Sequence, residues 1–460
     1  MSKSNFNKKF ILGITLVSAM GGLLFGYDWV VIGGAKPFYE RFFDITNSPY
    51  MQGWAMSSAL IGCLFGALSS GYFSDRYGRK FPLITAAALF TIAAIGTGAS
   101  NQFTPFIIYR LIGGLGIGLA SAISPMYIAE ISPAEMRGRL VSINQLTIVI
   151  GILAAQIINY LIAEVIPAGA TDEFILNSWN GQTGWRWMFW AGTVPAILFF
   201  ILSFFIPESP RFLAKSGKSE AAFYILKRIG GHDYAIQEQK EIAETLHGTD
   251  SKIDWKALTS KKVKPVLVLG IVLAVFQQWC GINVIFNYAE EIFTSAGYSV
   301  GDMLFNIVIT GTVNLIFTVL AMRMVDSWGR RKLMLLGSIG LAAVYFMLGT
   351  SYFFELKGLA ILVLVMVAIA TYAMTLAPIT WVILSEIFPN SVRGAAMAIA
   401  TTALWIACFV LTYTFPILNK LLNASGTFWL YGVICFSGFL FILKRLPETK
   451  GKSLEEIEKM

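Results

Sequence analysis

Twelve stretches of this chain stay apolar over about 20 residues or more, the length a helix needs to cross a bilayer, and mostly short polar connectors separate them. They fall at residues 10–33, 52–73, 81–100, 103–128, 138–163, 185–206, 263–295, 302–325, 333–353, 358–385, 391–418 and 426–446. One polar segment is long, residues 207–262, and within it Ser219 to Gly230 alternates as a short amphipathic helix with a glycine stop. The pattern predicts an all-α integral membrane protein: a six-helix bundle over 1–206, a cytoplasmic connector over 207–262, and a second six-helix bundle with a short tail over 263–460. The first stretch is too long for a signal peptide and carries no small-residue cleavage site, so it is expected to be retained.

Composition points the same way. Hydrophobic residues make up 56% of the 460 and charged residues only 13%, which excludes an ordinary soluble protein. Cys63, Cys280, Cys408 and Cys435 all fall inside apolar stretches, as small apolar side chains rather than a disulfide framework. His232 and His247 sit in the long connector with no partner cluster, so no metal and no cofactor are expected. No nucleophile, base or metal constellation suggests an enzyme.

Charge sets the orientation. Connectors and span ends on the side of the amino terminus hold 29 of the 35 basic residues; the other side holds five (Lys36, Arg41, Arg186, Lys357, Lys420), and Arg110 alone lies well inside a span. Because lysine and arginine stay on the cytoplasmic side, both termini are expected in the cytoplasm. The net charge of +8 then reflects topology, and no nucleic-acid partner is implied.

Three charged signatures occur twice in the same order, which marks a duplicated chain. Asp75-Arg76-Tyr77-Gly78-Arg79-Lys80 after the second span returns as Asp326-Ser327-Trp328-Gly329-Arg330-Arg331-Lys332 after the eighth. Glu130 followed seven residues later by Arg137 returns as Glu386 and Arg393, offset by 256 residues in both cases. Pro207-Glu208-Ser209-Pro210-Arg211 is echoed by Pro447-Glu448-Thr449-Lys450-Gly451. Carboxylate and guanidinium pair well, so Asp75, Arg79, Glu130, Arg137, Glu208, Arg211, Asp326, Arg330, Glu386, Arg393 and Glu448 are candidates for a cytoplasmic gate latching one half against the other. The alternative is that they only fix topology.

Of the 27 acidic residues only Asp28 lies well inside a span, at a depth matching that of Arg110. A charge there costs about 2.5 to 3.5 kcal/mol on insertion scales, so each should face a cavity and find a partner.

With these motifs in view, the chain resembles the sugar porter family of the major facilitator superfamily. The likeness covers nearly the whole chain and is carried by Gly26-Tyr27-Asp28, Arg110 with Gly113-Gly114, the two Pro-Glu motifs, and Gln277-Gln278-Trp279-Cys280-Gly281-Ile282-Asn283. It implies the major facilitator fold, two pseudo-symmetric bundles of six helices with a sugar site at the midplane and alternating access. It also implies that Asp28 and Arg110 couple proton movement to transport; a static ion pair is the other reading. Motif match places Gln145, Gln277, Gln278, Asn283 and Asn314 at the sugar, with Trp381, Trp405 and Phe25 as apolar walls. Neutral amides suit a ligand whose hydroxyls both donate and accept, and an aromatic face suits the apolar side of a sugar ring.

Four positions depart from the family's pattern: Ile152 and Leu404 where glutamines are expected, Asn287 for the first tyrosine of a pair, and Ala377 for a glycine before Pro378. The expected function is import of a monosaccharide, pentose or hexose, with a proton. The rivals are a passive facilitator of the same fold, a drug or metabolite antiporter, and a membrane sugar sensor. Partners are the sugar, the proton and the lipid bilayer, with a monomer in a bacterial inner membrane expected.

Overall fold

Inside a bilayer no water is at hand to satisfy backbone N–H and C=O groups, so an apolar run must close its hydrogen bonds within itself. The computed structural model describes residues 6–167, 169–247, 258, 260–261, 263–389 and 392–448. Among the described residues eleven helices are long and apolar enough to cross a membrane: Lys8–Phe42, Pro49–Tyr77, Lys80–Ala99, Phe103–Ile131, Ala134–Ile162, Asn180–Ser203, Val263–Asn287, Val300–Met324, Arg330–Phe353, Leu359–Leu384 and Arg393–Arg445. The last has 53 residues and leaves helical geometry at Asn423, where φ is 58°. At 1.5 Å per residue it is about 80 Å long, more than twice a bilayer core of about 30 Å. It therefore makes two crossings, and the protein is an all-α, twelve-span membrane protein.

Three spans differ from the sequence expectation. The first does not stop near residue 33 but runs to Phe42, so Lys36, expected in a solvated connector, lies in a helix and is 2% exposed. The seventh is broken into Val263–Trp279, Ile282–Asn287 and Ala289–Ser295. Gly281 takes φ 85°, and a Cβ there would lie 2.9 Å from the Tyr431 ring, so only glycine fits the first break. The tenth span is interrupted at Thr375, between Leu359–Met374 and Leu376–Ile387. Pro378 has no N–H for the carbonyl of Met374 and its ring crowds that carbonyl, which accounts for the interruption.

The chain folds into two compact units. One comprises residues 1–28, 62–152 and 189–252. In it the second and fourth spans touch backbone to backbone: a Cβ on Gly62 would lie 2.2 Å from the carbonyl of Leu111, and one on Gly118 2.2 Å from that of Cys63. Lipid is as apolar as leucine, so burial gives helices no reason to associate; small residues that admit close approach do. The connector helix Ser219–Gly230 buries Ala222, Ile225, Leu226 and Ile229. Three of these pack on Ile11, Ile128, Leu140 and Leu213, fixing the helix beneath the first, fourth and fifth spans.

The other unit comprises residues 29–61, 153–188 and 253–460. Here the second span meets the eleventh through Gly53, whose Cβ would lie 2.4 Å from the carbonyl of Tyr413. The Asn159 side chain of the fifth span donates to the carbonyl of Val31 on the first at 3.0 Å. Such contacts leave little room for added volume. Gly118→Ala should destabilise the protein by about 1 to 3 kcal/mol through overpacking, whereas Gly13→Ala, with no atom within 4 Å of the new Cβ, should leave thermal unfolding unchanged; melting curves of the purified variants compare the two.

Candidate functional site

The glycine of Gly26-Tyr27-Asp28 brings the first span onto the backbone of the fifth, since a Cβ there would overlap the carbonyl of Ile148. Two residues on, Asp28 Oδ1 accepts from Arg110 Nη1 of the fourth span at 2.8 Å. The Arg110 side chain is 3% exposed and that of Asp28 17%. Gly113 opens the space beside them, its Cβ position lying 3.7 Å from the carboxylate, and the Phe189 ring centre is 5.9 Å from the guanidinium. The pair is joined by a single bond, not a fork. Asp28 Oδ2 and Arg110 Nε are buried with no hydrogen-bond partner among the described residues.

In the other unit the broken seventh span presents a chain of amides. Gln277 is 3% exposed, Gln278 7%, Asn283 9% and Asn314, on the eighth span, 7%. Gln278 donates to Gln277 Oε1 at 3.2 Å, Asn283 donates to Gln278 Oε1, and Gln277 donates to the carbonyl of Ala377, beside the break in the tenth span, at 3.4 Å. The Gly281 break turns Asn283 back toward Gln278. Trp405 is buried, 6.3 Å from Trp29 between ring centres, whereas Trp381 is 41% exposed. Gln145 is exposed and Phe25 half-buried, and both belong to the first unit. The structure thus gathers Gln277, Gln278 and Asn283 into one hydrogen-bonded group, with Asn314, Trp381 and Trp405 in the same unit.

The repeated charges form two matching assemblies. In the first, Arg79 Nη2 donates to Glu130 Oε1 at 2.8 Å, while Glu208 accepts from the backbone N–H groups of Arg79 and Lys80 at 2.8 and 3.3 Å. In the second, Arg330 Nη2 donates to Glu386 at 3.1 Å, and Glu448 accepts from the N–H groups of Arg330 and Arg331 at 2.9 and 3.2 Å. Gly78 at φ 83° and Gly329 at φ 88° make the turn before each. A carboxylate on the free N–H groups at a helix start satisfies them and favours the helix dipole. Each trio lies within one sequence half, where pairing across the halves was expected; the capping geometry needs three adjacent elements of the same bundle.

The remaining gate candidates vary. Asp75 pairs with Lys215 at 3.1 Å on the surface. Arg137 donates to the carbonyl of Ala129 and Arg393 to that of Phe388, both at 3.1 Å. Arg211 is exposed, and the side chain of Asp326 lies outside the described residues. Arg137 and Arg211 face Glu238 of the connector, whose carboxyl burial raises above its usual range with help from Glu241, the two arginines opposing the shift.

A family profile described as Sugar (and other) transporter matches residues 14–460. The chain belongs to this sugar transporter family. Among relatives, the D-xylose-proton symporter of Escherichia coli (strain K12) is 40% identical over 488 aligned positions, covering 99% of this chain and 96% of that protein. The arabinose-proton symporter of Bacillus subtilis (strain 168) is 41% identical over 456, covering 98% and 95%. The solved inward-open xylose transporter of E. coli superposes with a TM-score of 0.85 at 39% identity, covering 98% of this chain and 99% of that one. The same symporter type bound to 6-bromo-6-deoxy-D-glucose gives 0.80 at 39% identity, covering 99% of each. The match bears out the major facilitator fold that the resemblance implied, and the family is one of transporters rather than enzymes.

Because the two charged assemblies match, they should tolerate damage alike. Arg79→Ala and Arg330→Ala each remove a hydrogen bond to a carboxylate, worth about 1.5 to 3 kcal/mol, so both should lower the unfolding temperature by similar amounts. Differential scanning fluorimetry of the two variants checks the equivalence.

Proposed function

We propose that the protein imports a monosaccharide, a pentose or hexose, together with a proton across a bacterial inner membrane by alternating access. The observation that carries the proton is the buried Asp28–Arg110 pair, joined through one carboxylate oxygen while the other has no partner among the described residues. Parting and rejoining of this pair during the transport cycle is the step that takes up and releases the proton.

The sugar is met by Gln277, Gln278, Asn283 and Asn314, with Trp381 and Trp405 supplying apolar faces; Gln145 and Phe25 complete the proposed set. The amides already bond to one another, so a sugar hydroxyl exchanges one hydrogen bond for another rather than facing bare apolar wall. Relatives 40%, 41% and 37% identical bear the names of xylose, arabinose and glucose carriers. The proposal is accordingly a substrate class, small aldoses; the departures at Ile152 and Leu404, where polar side chains are lost, are where selectivity within it is set, and those at Asn287 and Ala377 act on how the outer and inner doors close.

The residues 1–206 and 263–460 act as the two six-helix repeats joined by 207–262, with both termini cytoplasmic and the monomer as the working unit. The repeated charge assemblies stiffen the cytoplasmic ends of the bundles. The driving force is adequate: a potential of 100 mV supplies about 2.3 kcal/mol per charge and one pH unit about 1.36 kcal/mol. Together these support accumulation of roughly 500-fold.

Gln278→Ala should weaken sugar binding at least about tenfold, because it removes a hydrogen bond in a buried site; calorimetric titration of a sugar panel reads it, and wild-type affinity would take this residue out of the site. Asp28→Asn keeps the shape but cannot release a proton. In liposomes it should still exchange labelled sugar yet lose uphill accumulation under an imposed pH gradient, and the persistence of accumulation would assign the pair a static role. A wild-type protein whose sugar uptake ignores the gradient would be a passive facilitator.

A further inference from the structure

A second buried charge cluster lies where neither the repeats nor the proton pair reach. Lys36 Nζ is 3.1 Å from Glu40 on its own helix, 3.0 Å from Glu290 and 2.6 Å from Glu291. The Lys36 side chain is 3% exposed and that of Glu40 4%; Glu290 and Glu291 are 16% and 22% exposed. The two glutamates sit on Ala289–Ser295, the last piece of the broken seventh span, so the contact joins residues 254 apart in sequence. Gln52 of the second span donates to Glu40 at 3.3 Å, and the Tyr288 ring centre lies 5.9 Å from the ammonium. One turn earlier, Gly33 lets the first span press onto the seventh, its Cβ position 3.1 Å from the carbonyl of Phe286 and 3.2 Å from that of Asn287.

We propose that Lys36, Glu40, Glu290 and Glu291 form a charge lock that holds the outer door shut between the first and seventh spans. The inference rests on the orientation and the alternating access given under the proposed function. A carrier that admits sugar from outside must part these spans, and the cluster is built to part. One ammonium faces three carboxylates, and Glu40 Oε1 and Glu291 Oε2 are buried with no hydrogen-bond partner among the described residues. Removing such groups from water is costly. Opening returns them to water, which offsets the loss of the ion pairs and leaves the two states close in free energy. A seam of the same area made only of apolar side chains would gain nothing on opening. Breaking the lock therefore moves the population toward the outward-open state.

The test is a distance measurement by pulsed electron resonance on the full-length transporter in nanodiscs without sugar. Spin labels go on Asn47→Cys, in the loop after the first span, and Thr294→Cys, on the short helix bearing the glutamates; both positions are exposed, and the four natural cysteines are buried. In this background Lys36→Met should at least double the population at the longer distance, as should Glu290→Gln with Glu291→Gln, which spares the pair of Lys36 with Glu40. The exchange Lys36→Glu with Glu290→Lys should return the distribution toward that of the parent. Unchanged distances in a monodisperse Lys36→Met protein would overturn the lock, as would a shift that the exchanged pair fails to reverse. If Lys36→Met does not fold, the double glutamine variant decides alone. Because the readout uses neither sugar nor a proton gradient, failure of the transport reading leaves this result standing, and the reverse.

Discussion

A charge removed from water inside a membrane protein must find its counter-charge within the chain, and much of this structure follows from meeting that requirement. Arg110 and Asp28 meet it as a pair with one bond and a spare oxygen. Lys36 meets it with three carboxylates gathered from two helices. Each solution fixes which helices adjoin: the fourth span must lie against the first, and the end of the seventh must reach the end of the first.

The same requirement extends to uncharged groups. The helices starting at Lys80 and Arg330 each begin on N–H groups that a glutamate from a distant segment satisfies, so two positions more than 110 residues from their helix starts finish those helices. The amides of the seventh span satisfy one another. Between these polar fixings, glycine governs how near the backbones come. Gly26, Gly53, Gly62 and Gly118 stand where any Cβ would meet a carbonyl within 2.4 Å, so the polar partners are brought within bonding distance by the absence of a side chain elsewhere.

The polar contacts differ in how many bonds hold them. Asp28 and Arg110 are joined by a single bond of 2.8 Å rather than by a fork of two. Gly281, Tyr288 and Thr375 divide the seventh and tenth spans into pieces, and short pieces can tilt without dragging a whole helix through the bilayer.

Much of this was legible in the residues. The apolar runs gave twelve crossings, because backbone polarity in lipid allows little but helix, and the duplicated charges at Glu130 and Glu386 disclosed the repeat from the residues themselves. The isolation of Asp28 and Arg110 announced a pair, since neither could remain in a span without the other. Three things were decided only by folding. Lys36 lies just past an apolar run and reads as a solvated connector residue, but the helix continues and the seventh span covers it; exposure depends on what packs there, which no local pattern encodes. The partners of Glu208 and Glu448 were expected across the halves and lie within them, because capping is set by where helix starts fall in space. The breaks at Gly281 and Thr375 likewise needed the packed neighbours: the Tyr431 ring shows why Gly281 is glycine, and that ring is 150 residues away in sequence.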